Sequence, residues 1–139
     1  DLAKIAMAYP NTYVAQISLG ANMMQTIKAL TEANNHKGPA IVIAYCPCIS
    51  HGIKGGMSCS VEEESLATKC GYFPIFRYDG SKFTLDSSTP NFDLYDDFLA
   101  GQTRYSMLKN INPEKAKKIL NQNKEEAIKR FEFYKELSK

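Results

Sequence analysis

Residues 12–45 read TYVAQISLGANMMQTIKALTEANNHKGPAIVIAY, and the architecture follows from them. The opening TYVAQISLG is rich in β-formers, mostly apolar, and stops at Gly20. The period then changes. Asn22 stands in an N-cap position with Gln25 three residues on, the spacing of a capping box. Met23, Ile27 and Leu30 recur at helical intervals along one face. After the turn at Lys37, Gly38 and Pro39 the chain runs apolar without alternation through AIVIAY. That is the pattern of a strand buried on both faces of a parallel sheet. Strand, helix and strand in this order make a βαβ unit and predict an α/β fold.

Upstream, residues 1–9 (DLAKIAMAY) read as the end of a helix, so the chain is expected to be a piece of a longer polypeptide. Downstream, the glycine-rich loop GIKGGMS (52–58) leads to SVEEESLATKCG (60–71), a predicted helix. Ser60 and Glu63 have capping-box spacing, Glu62 to Glu64 suit the positive helix N-terminus, and Gly71 is the expected stop. YFPIFRYDG (72–80) is an aromatic strand whose Pro74 predicts an edge position or a bulge. KFTLDSS (82–88) is its expected partner across a turn at Asp79 and Gly80. Phe92, Tyr95, Phe98 and Leu99 then take helical spacing. Asn112 and Pro113 open a last helix as N-cap and first residue, with Ala116, Ile119, Leu120, Ala127, Phe131 and Tyr134 as its stripe. The expected division is an α/β part over residues 1–80, and a short strand with a helical C-terminal arm over 81–139.

A length of 139 residues suits one ordinary domain, and 44% apolar with 23% charged residues is a globular composition. No apolar run approaches the roughly 20 residues that cross a bilayer. The start of the chain shows no signal-peptide pattern. A cytoplasmic location without a membrane partner is expected. The net charge of +2 is uneven: from Lys109 onward there are nine Lys and Arg against five Asp and Glu. These charges alternate along a helical pattern, as on a solvated helix face, so nucleic acid is not the expected partner. Four cysteines without a secretory signal point to a reducing compartment, where thiols serve as core residues, nucleophiles or metal ligands.

The chemistry concentrates in AYCPCISHG, residues 44–52. This loop leaves the carboxyl end of a predicted parallel strand, where ligands of doubly wound sheets sit. Pro47 removes a donor and fixes one backbone angle between Cys46 and Cys48. Three uses are open. A zinc site has Cys46, Cys48, His51, Cys59 and Cys70 to draw on, although their spacing matches paired short ligand motifs poorly and Cys70 falls in the last turn of a helix. A nucleophilic pair of Cys48 with His51 needs contact and a third orienting group. A strand end with inert thiols is the simplest. GIKGGMS lacks the Gly-Lys-Ser/Thr ending of a P-loop and reads as a connector. Arg77 with Tyr78, and Arg104 with Tyr105, are read as packing groups ahead of anion readers.

In order along the chain, YVAQISLGANMMQTIKALTEA, GPAIVIAYCPCISHGI, CGYFPIFRYDG, LDSS and DDFLAGQTRYSML resemble the C-terminal segment of pyruvate:ferredoxin (flavodoxin) oxidoreductases. The similarity covers nearly the whole chain, and the ordered string is more specific than any one motif. It implies part of a thiamine diphosphate-binding α/β domain with a parallel sheet. The enzyme so implied is dimeric and belongs to anaerobic metabolism. It uses thiamine diphosphate, Mg²⁺ and [4Fe–4S] clusters to oxidise pyruvate, with coenzyme A, to acetyl-CoA and CO₂, and passes electrons to ferredoxin or flavodoxin. By the Pro-Cys-Ile-x-His-Gly motif, Cys48 corresponds to the last thiolate ligand of the cluster nearest the thiamine. Position 46 is usually a small residue other than cysteine in this family, so Cys46 is not an expected ligand, and Cys59 and Cys70 match no ligand position. The Gly-Asp-Gly motif and the other cluster cysteines are absent from these residues. The expected partner is therefore the remainder of the same enzyme chain, and the piece alone is expected to be inactive. The alternative is a stand-alone zinc- or partner-binding α/β module.

Overall fold

In the computed structural model, which describes all of residues 1–139, the chain opens with a short helix, α1 (Leu2–Met7). The Asp1 carboxylate caps it by accepting from the Lys4 amide. The βαβ unit follows as β1 (Tyr13–Ile17), α2 (Met23–Asn35) and β2 (Ala40–Ala44). β1 and β2 are parallel, in register from Tyr13 opposite Ala40 to Ile17 opposite Ala44. Asn22 caps α2, its side chain accepting from the Gln25 amide at 2.9 Å. The Gln25 side chain does not close the expected box. It is buried, and a buried amide must find partners, so it donates to the Gln16 carbonyl and the Asp86 carboxylate.

The chain continues through α3 (Ser60–Lys69), β3 (Phe76–Tyr78), β4 (Phe83–Leu85), α4 (Tyr95–Gly101), α5 (Thr103–Ile111) and α6 (Pro113–Leu137). The sheet order is β2-β1-β3-β4, with β3 antiparallel to both neighbours, so the sheet is mixed. β3 is an inner strand, which corrects the edge position inferred from Pro74. Proline lacks a ladder donor, and the strand begins only after it, at Phe76. The Ser60–Glu63 capping box does not form either. Residues Met57–Cys59 make a 3₁₀ turn ahead of α3, so Ser60 is already helical and its hydroxyl donates to the Met57 carbonyl. α3 ends as expected at Gly71, with φ +81°, and a Cβ there would lie 2.5 Å from a Phe92 ring carbon.

Strand alternation sorts the core into faces. Tyr13, Ala15, Ile17 and Val42 meet Ala29 and Ala33 of α2. Val14, Ile43, Phe76, Phe83 and Leu85 meet Ala3 and Ala6 of α1 and Tyr134 of α6. A separate cluster of Ala67, Cys70, Tyr95, Phe98, Leu99, Leu120 and Ala127 joins α3, α4 and α6. Asn112 caps α6 by accepting from the Lys115 amide, with Pro113 as its first residue. Its stripe is buried except for Ile119. Its outer face carries the pairs Glu126–Lys129, Glu132–Lys135 and Glu136–Lys139, all well exposed.

β2 departs from expectation. Its sequence suits burial on both faces, yet it is the outer strand, and Ala40, Ile41 and Ala44 are exposed. The α2 stripe is open too: Met23, Ile27 and Leu30 are 61%, 51% and 50% exposed. Gln25 and Glu32 reach across toward Asp86 and Arg77, on the β3 side. Helical spacing therefore turns Met23, Ile27 and Leu30 to the opposite flank, the β2 side. An apolar strand edge bordered by an apolar helix flank is a surface that proteins normally cover. No helix is long and apolar enough to cross a membrane.

Candidate functional site

β1 and β2 are parallel, so their carboxyl ends lie on the same side of the sheet, the side where α/β folds place ligands. The ladder runs one residue past β2, with the Tyr45 amide donating to the Ile17 carbonyl at 3.0 Å. The Tyr45 ring packs on Tyr72 and Phe73, at centroid distances of 6.2 and 5.3 Å, and fixes the start of the loop. Pro47 is buried. The Gly52 amide closes a tight turn on the Cys48 carbonyl at 2.8 Å, with Gly52 at φ +74°.

That turn brings Cys48 Sγ to 3.1 Å from His51 Nδ1. The contact with His51, helped by the His51 and Ser50 amides, brings the Cys48 thiol down to about 7. The sulfur is half-exposed. No third group hydrogen-bonds the imidazole, so the arrangement is a pair and lacks the orienting partner of a catalytic triad.

The far end of the loop is tied to the corner between α4 and α5. Ile53 is 5% exposed and pairs antiparallel with Gln102. The Lys54 amide donates to the Gly101 carbonyl at 2.8 Å, and the Thr103 amide to the Gly52 carbonyl at 3.3 Å. Gln102 Nε2 donates to Glu63 Oε2 at 2.9 Å. Burial raises the Glu63 carboxyl above its usual range, and the bond from Gln102 offsets part of that rise. α3 is held in turn to the end of β1. The Ser18 hydroxyl donates to the Glu64 carbonyl, and the Gly20 amide donates to the Glu64 carboxylate at 2.7 Å.

The other candidate residues lie apart from this arrangement. Cys70 is fully buried against Ala67, and burial pushes its thiol up to about 11. Cys59 Sγ folds back on the Gly55 carbonyl, and Cys46 is exposed. No three His, Cys, Asp or Glu side chains gather to share a metal ion. The self-contained zinc alternative is corrected accordingly, because core packing claims Cys70 and local loop bonds hold Cys59. Arg77 is occupied by carboxylates: it makes a two-pronged contact with Asp86 at 2.8 and 2.9 Å and one with Glu32 at 2.7 Å. Arg104 donates to the Tyr72 and Tyr105 hydroxyls. Both arginines pack, as expected.

Cys48 fits the role of one cluster ligand. Iron–sulfur clusters take thiolates, and this sulfur is accessible, on a loop beyond two strand ends, with its thiol shifted toward ionisation. The chain does not supply a complete ligand set. Sequence inspection missed Gln102, Glu63 and Ile53 as supports of the loop. The available signal was Gly101, an unfavourable residue inside an otherwise continuous helical pattern.

No family model matches the chain. Among curated proteins it is 41% identical to the pyruvate-flavodoxin oxidoreductase of Enterobacter agglomerans and 41% identical to the pyruvate:ferredoxin oxidoreductase of Moorella thermoacetica. It is 37% identical to the mitochondrial pyruvate dehydrogenase (NADP+) of Euglena gracilis. Each match covers 99% of this chain, but only 12%, 12% and 8% of the respective relative. The chain is thus homologous, over nearly its whole length, to one segment of a pyruvate oxidoreductase. It spans about 12% of the length of the pyruvate-flavodoxin and pyruvate:ferredoxin oxidoreductases it matches, which is consistent with a fragment of such an enzyme.

Proposed function

We propose that the chain is the C-terminal part of the thiamine diphosphate-binding domain of a pyruvate:ferredoxin (flavodoxin) oxidoreductase. In this reading Cys48 donates the thiolate that completes a [4Fe–4S] cluster whose other cysteines lie elsewhere in the enzyme. The observation that carries it is the placement of the Cys48 sulfur: half-exposed, beyond the carboxyl ends of two parallel strands, its thiol brought down to about 7. When bound, the cluster supplies one-electron transfer toward an external carrier. The chain's own residues hold the sulfur in place, from Tyr45 at one end of the loop and from Ile53 and Gln102 at the other.

The reaction of the whole enzyme is the oxidation of pyruvate, with coenzyme A, to acetyl-CoA and CO₂, with electrons leaving to ferredoxin or flavodoxin. Thiamine diphosphate and Mg²⁺ are assigned to the rest of the enzyme, since this chain contains no Gly-Asp-Gly. The open β2 edge and the Met23, Ile27 and Leu30 flank support a sheet completed by that remainder. The intact enzyme is taken to be a homodimer. The test compares the 139-residue chain with the full-length enzyme, each given cofactors, pyruvate, coenzyme A and either carrier. Reduction of ferredoxin or flavodoxin by the full-length protein alone is expected. A cofactor-loaded full-length enzyme that reduces neither carrier with pyruvate overturns the assignment.

A further inference from the structure

The loop that carries Cys48 has no regular structure of its own. Two backbone hydrogen bonds fix its far end to the corner between α4 and α5, the Lys54 amide to the Gly101 carbonyl and the Thr103 amide to the Gly52 carbonyl, and together they make the antiparallel bridge of Ile53 with Gln102. That corner is a single extended residue between two helices, Gln102, with φ −86° and ψ 116°. A one-residue joint is free to pivot unless something pins it.

Gln102 is 4% exposed, and every link from it leads to a different element. Its amide donates to the Leu99 carbonyl, at the end of α4. Its carbonyl accepts from the Tyr105 and Ser106 amides, in the first turn of α5. The residue sits opposite Ile53 of the loop, in a bridge carried by the backbone bonds of its neighbours Gly101 and Thr103. Its side chain crosses to Glu63 of α3. α3 is itself bonded to the end of β1 through Ser18 and Gly20. The frame is therefore continuous: β1 to α3, α3 to Gln102, and Gln102 to the loop. The side-chain bond that joins α3 to the corner is Gln102 to Glu63, a hydrogen bond to a carboxylate and so of the stronger kind. Loss of the donor leaves a partly buried carboxyl without it.

We propose that Gln102, through its bond to Glu63, is the positioning residue that sets where the Cys48 loop sits relative to the sheet. Its bearing on a cluster rests on the ligand role proposed for Cys48. Its bearing on the loop does not.

The test uses the full-length enzyme and two readouts: hydrogen exchange at the Lys54 and Thr103 amides, and the electron paramagnetic resonance signal with iron content of the reconstituted protein. In Gln102→Ala the two amides are expected to exchange about tenfold faster or more, while amides in β1 and α6 keep their protection. The signal of one cluster changes, or the iron content falls by one cluster. The exchanged pair E63Q/Q102E restores an amide-to-carboxylate bond and is expected to restore both readouts. If Gln102→Ala unfolds the domain, seen as lost protection in β1 and α6, Gln102→Glu replaces it. Its two facing carboxyls are expected to loosen the loop, and the exchanged pair to tighten it again. Unchanged protection in the single variants, or no rescue by the exchanged pair, overturns the proposal. Cys48→Ala is run alongside. Full retention of its clusters dismisses the ligand role, and the amide protection then still decides the positioning role.

Discussion

Cys48 Sγ stands 3.1 Å from His51 Nδ1, across a turn closed by the Gly52 amide on the Cys48 carbonyl. The contact exists because Pro47 ends the strand and Gly52 accepts a left-handed backbone angle of +74°. Its effect is on reactivity. The sulfur is half-exposed, so a shifted thiol pKa changes how readily it ionises far more than it changes folding stability.

Without a cluster, Cys48 is expected to alkylate at a rate that rises with pH around a midpoint of about 7. The pKa is lowered, so the thiolate predominates above that midpoint and is lost below it. In His51→Ala the midpoint moves up toward roughly 8.5, the ordinary thiol range. Cys70, fully buried and pushed up to about 11, remains unlabelled until the chain unfolds. Site-resolved mass spectrometry of iodoacetamide labelling against pH reads all of this. A midpoint that His51→Ala leaves in place removes the imidazole as its cause.

Arg77 holds the sheet to α2 by bonding Asp86 of the segment after β4 and Glu32 of α2 at once. Arg77→Met strands two carboxylates in a partly buried site and is expected to cost about 2–4 kcal/mol in urea unfolding. The double variant Arg77→Met with Asp86→Leu is expected to cost less, because it removes an unpaired charge along with its partner. Equal losses in the two variants contradict the ion-pair account.

Tyr134 fixes α6 to the sheet. Its ring lies 4.7 Å from Phe76 and 5.6 Å from Phe83, and its hydroxyl donates to the Asp1 carboxylate at 2.7 Å. Tyr134→Phe keeps the packing and is expected to cost about 1 kcal/mol. Tyr134→Ala opens a cavity and is expected to cost about 3–5 kcal/mol. Denaturant midpoints compare them, and near-equal losses would show that the hydroxyl, not the ring, secures the helix.

The βαβ unit was legible because its signals are local: two β-rich runs, an Asn cap and a helical period lie within 34 residues. The Asn112 and Pro113 start of α6 and the Gly71 stop of α3 were legible for the same reason. The Ser60–Glu63 box was misread because residues Met57–Cys59 form their own turn and take the Ser60 hydroxyl. Gln25 and Glu63 both left their expected local roles for partners 61 and 39 residues away, Asp86 and Gln102. Spacing carries no record of such long-range bonds. The continuous apolar run of β2 predicted burial on both faces, but the strand lies at the sheet edge with Ala40, Ile41 and Ala44 exposed, and no other strand of the chain pairs with its outer side. The motif singled out Cys48, and the structure places it half-exposed on a turn beyond β2. The corner that holds its loop was not legible beyond the hint at Gly101.

The open flank has a physical consequence for the isolated chain. Ile27 and Leu30 are half-exposed beside the unpaired β2 edge, so the chain is expected to self-associate as its concentration rises. Ile27→Lys with Leu30→Lys is expected to reduce that association in sedimentation velocity without changing the circular dichroism spectrum. In the full-length enzyme the same pair is expected to impair assembly. Association unaffected by the two lysines points to another surface.

The assignment of Cys48 is tested by iron analysis and electron paramagnetic resonance of the full-length enzyme carrying Cys48→Ala, purified and reconstituted without oxygen. The expected result is a protein that folds, keeps its other clusters, and lacks the iron and the signal of one [4Fe–4S] centre. Full iron content with every signal unchanged would contradict it, and the loop beyond β2 would then hold no cluster.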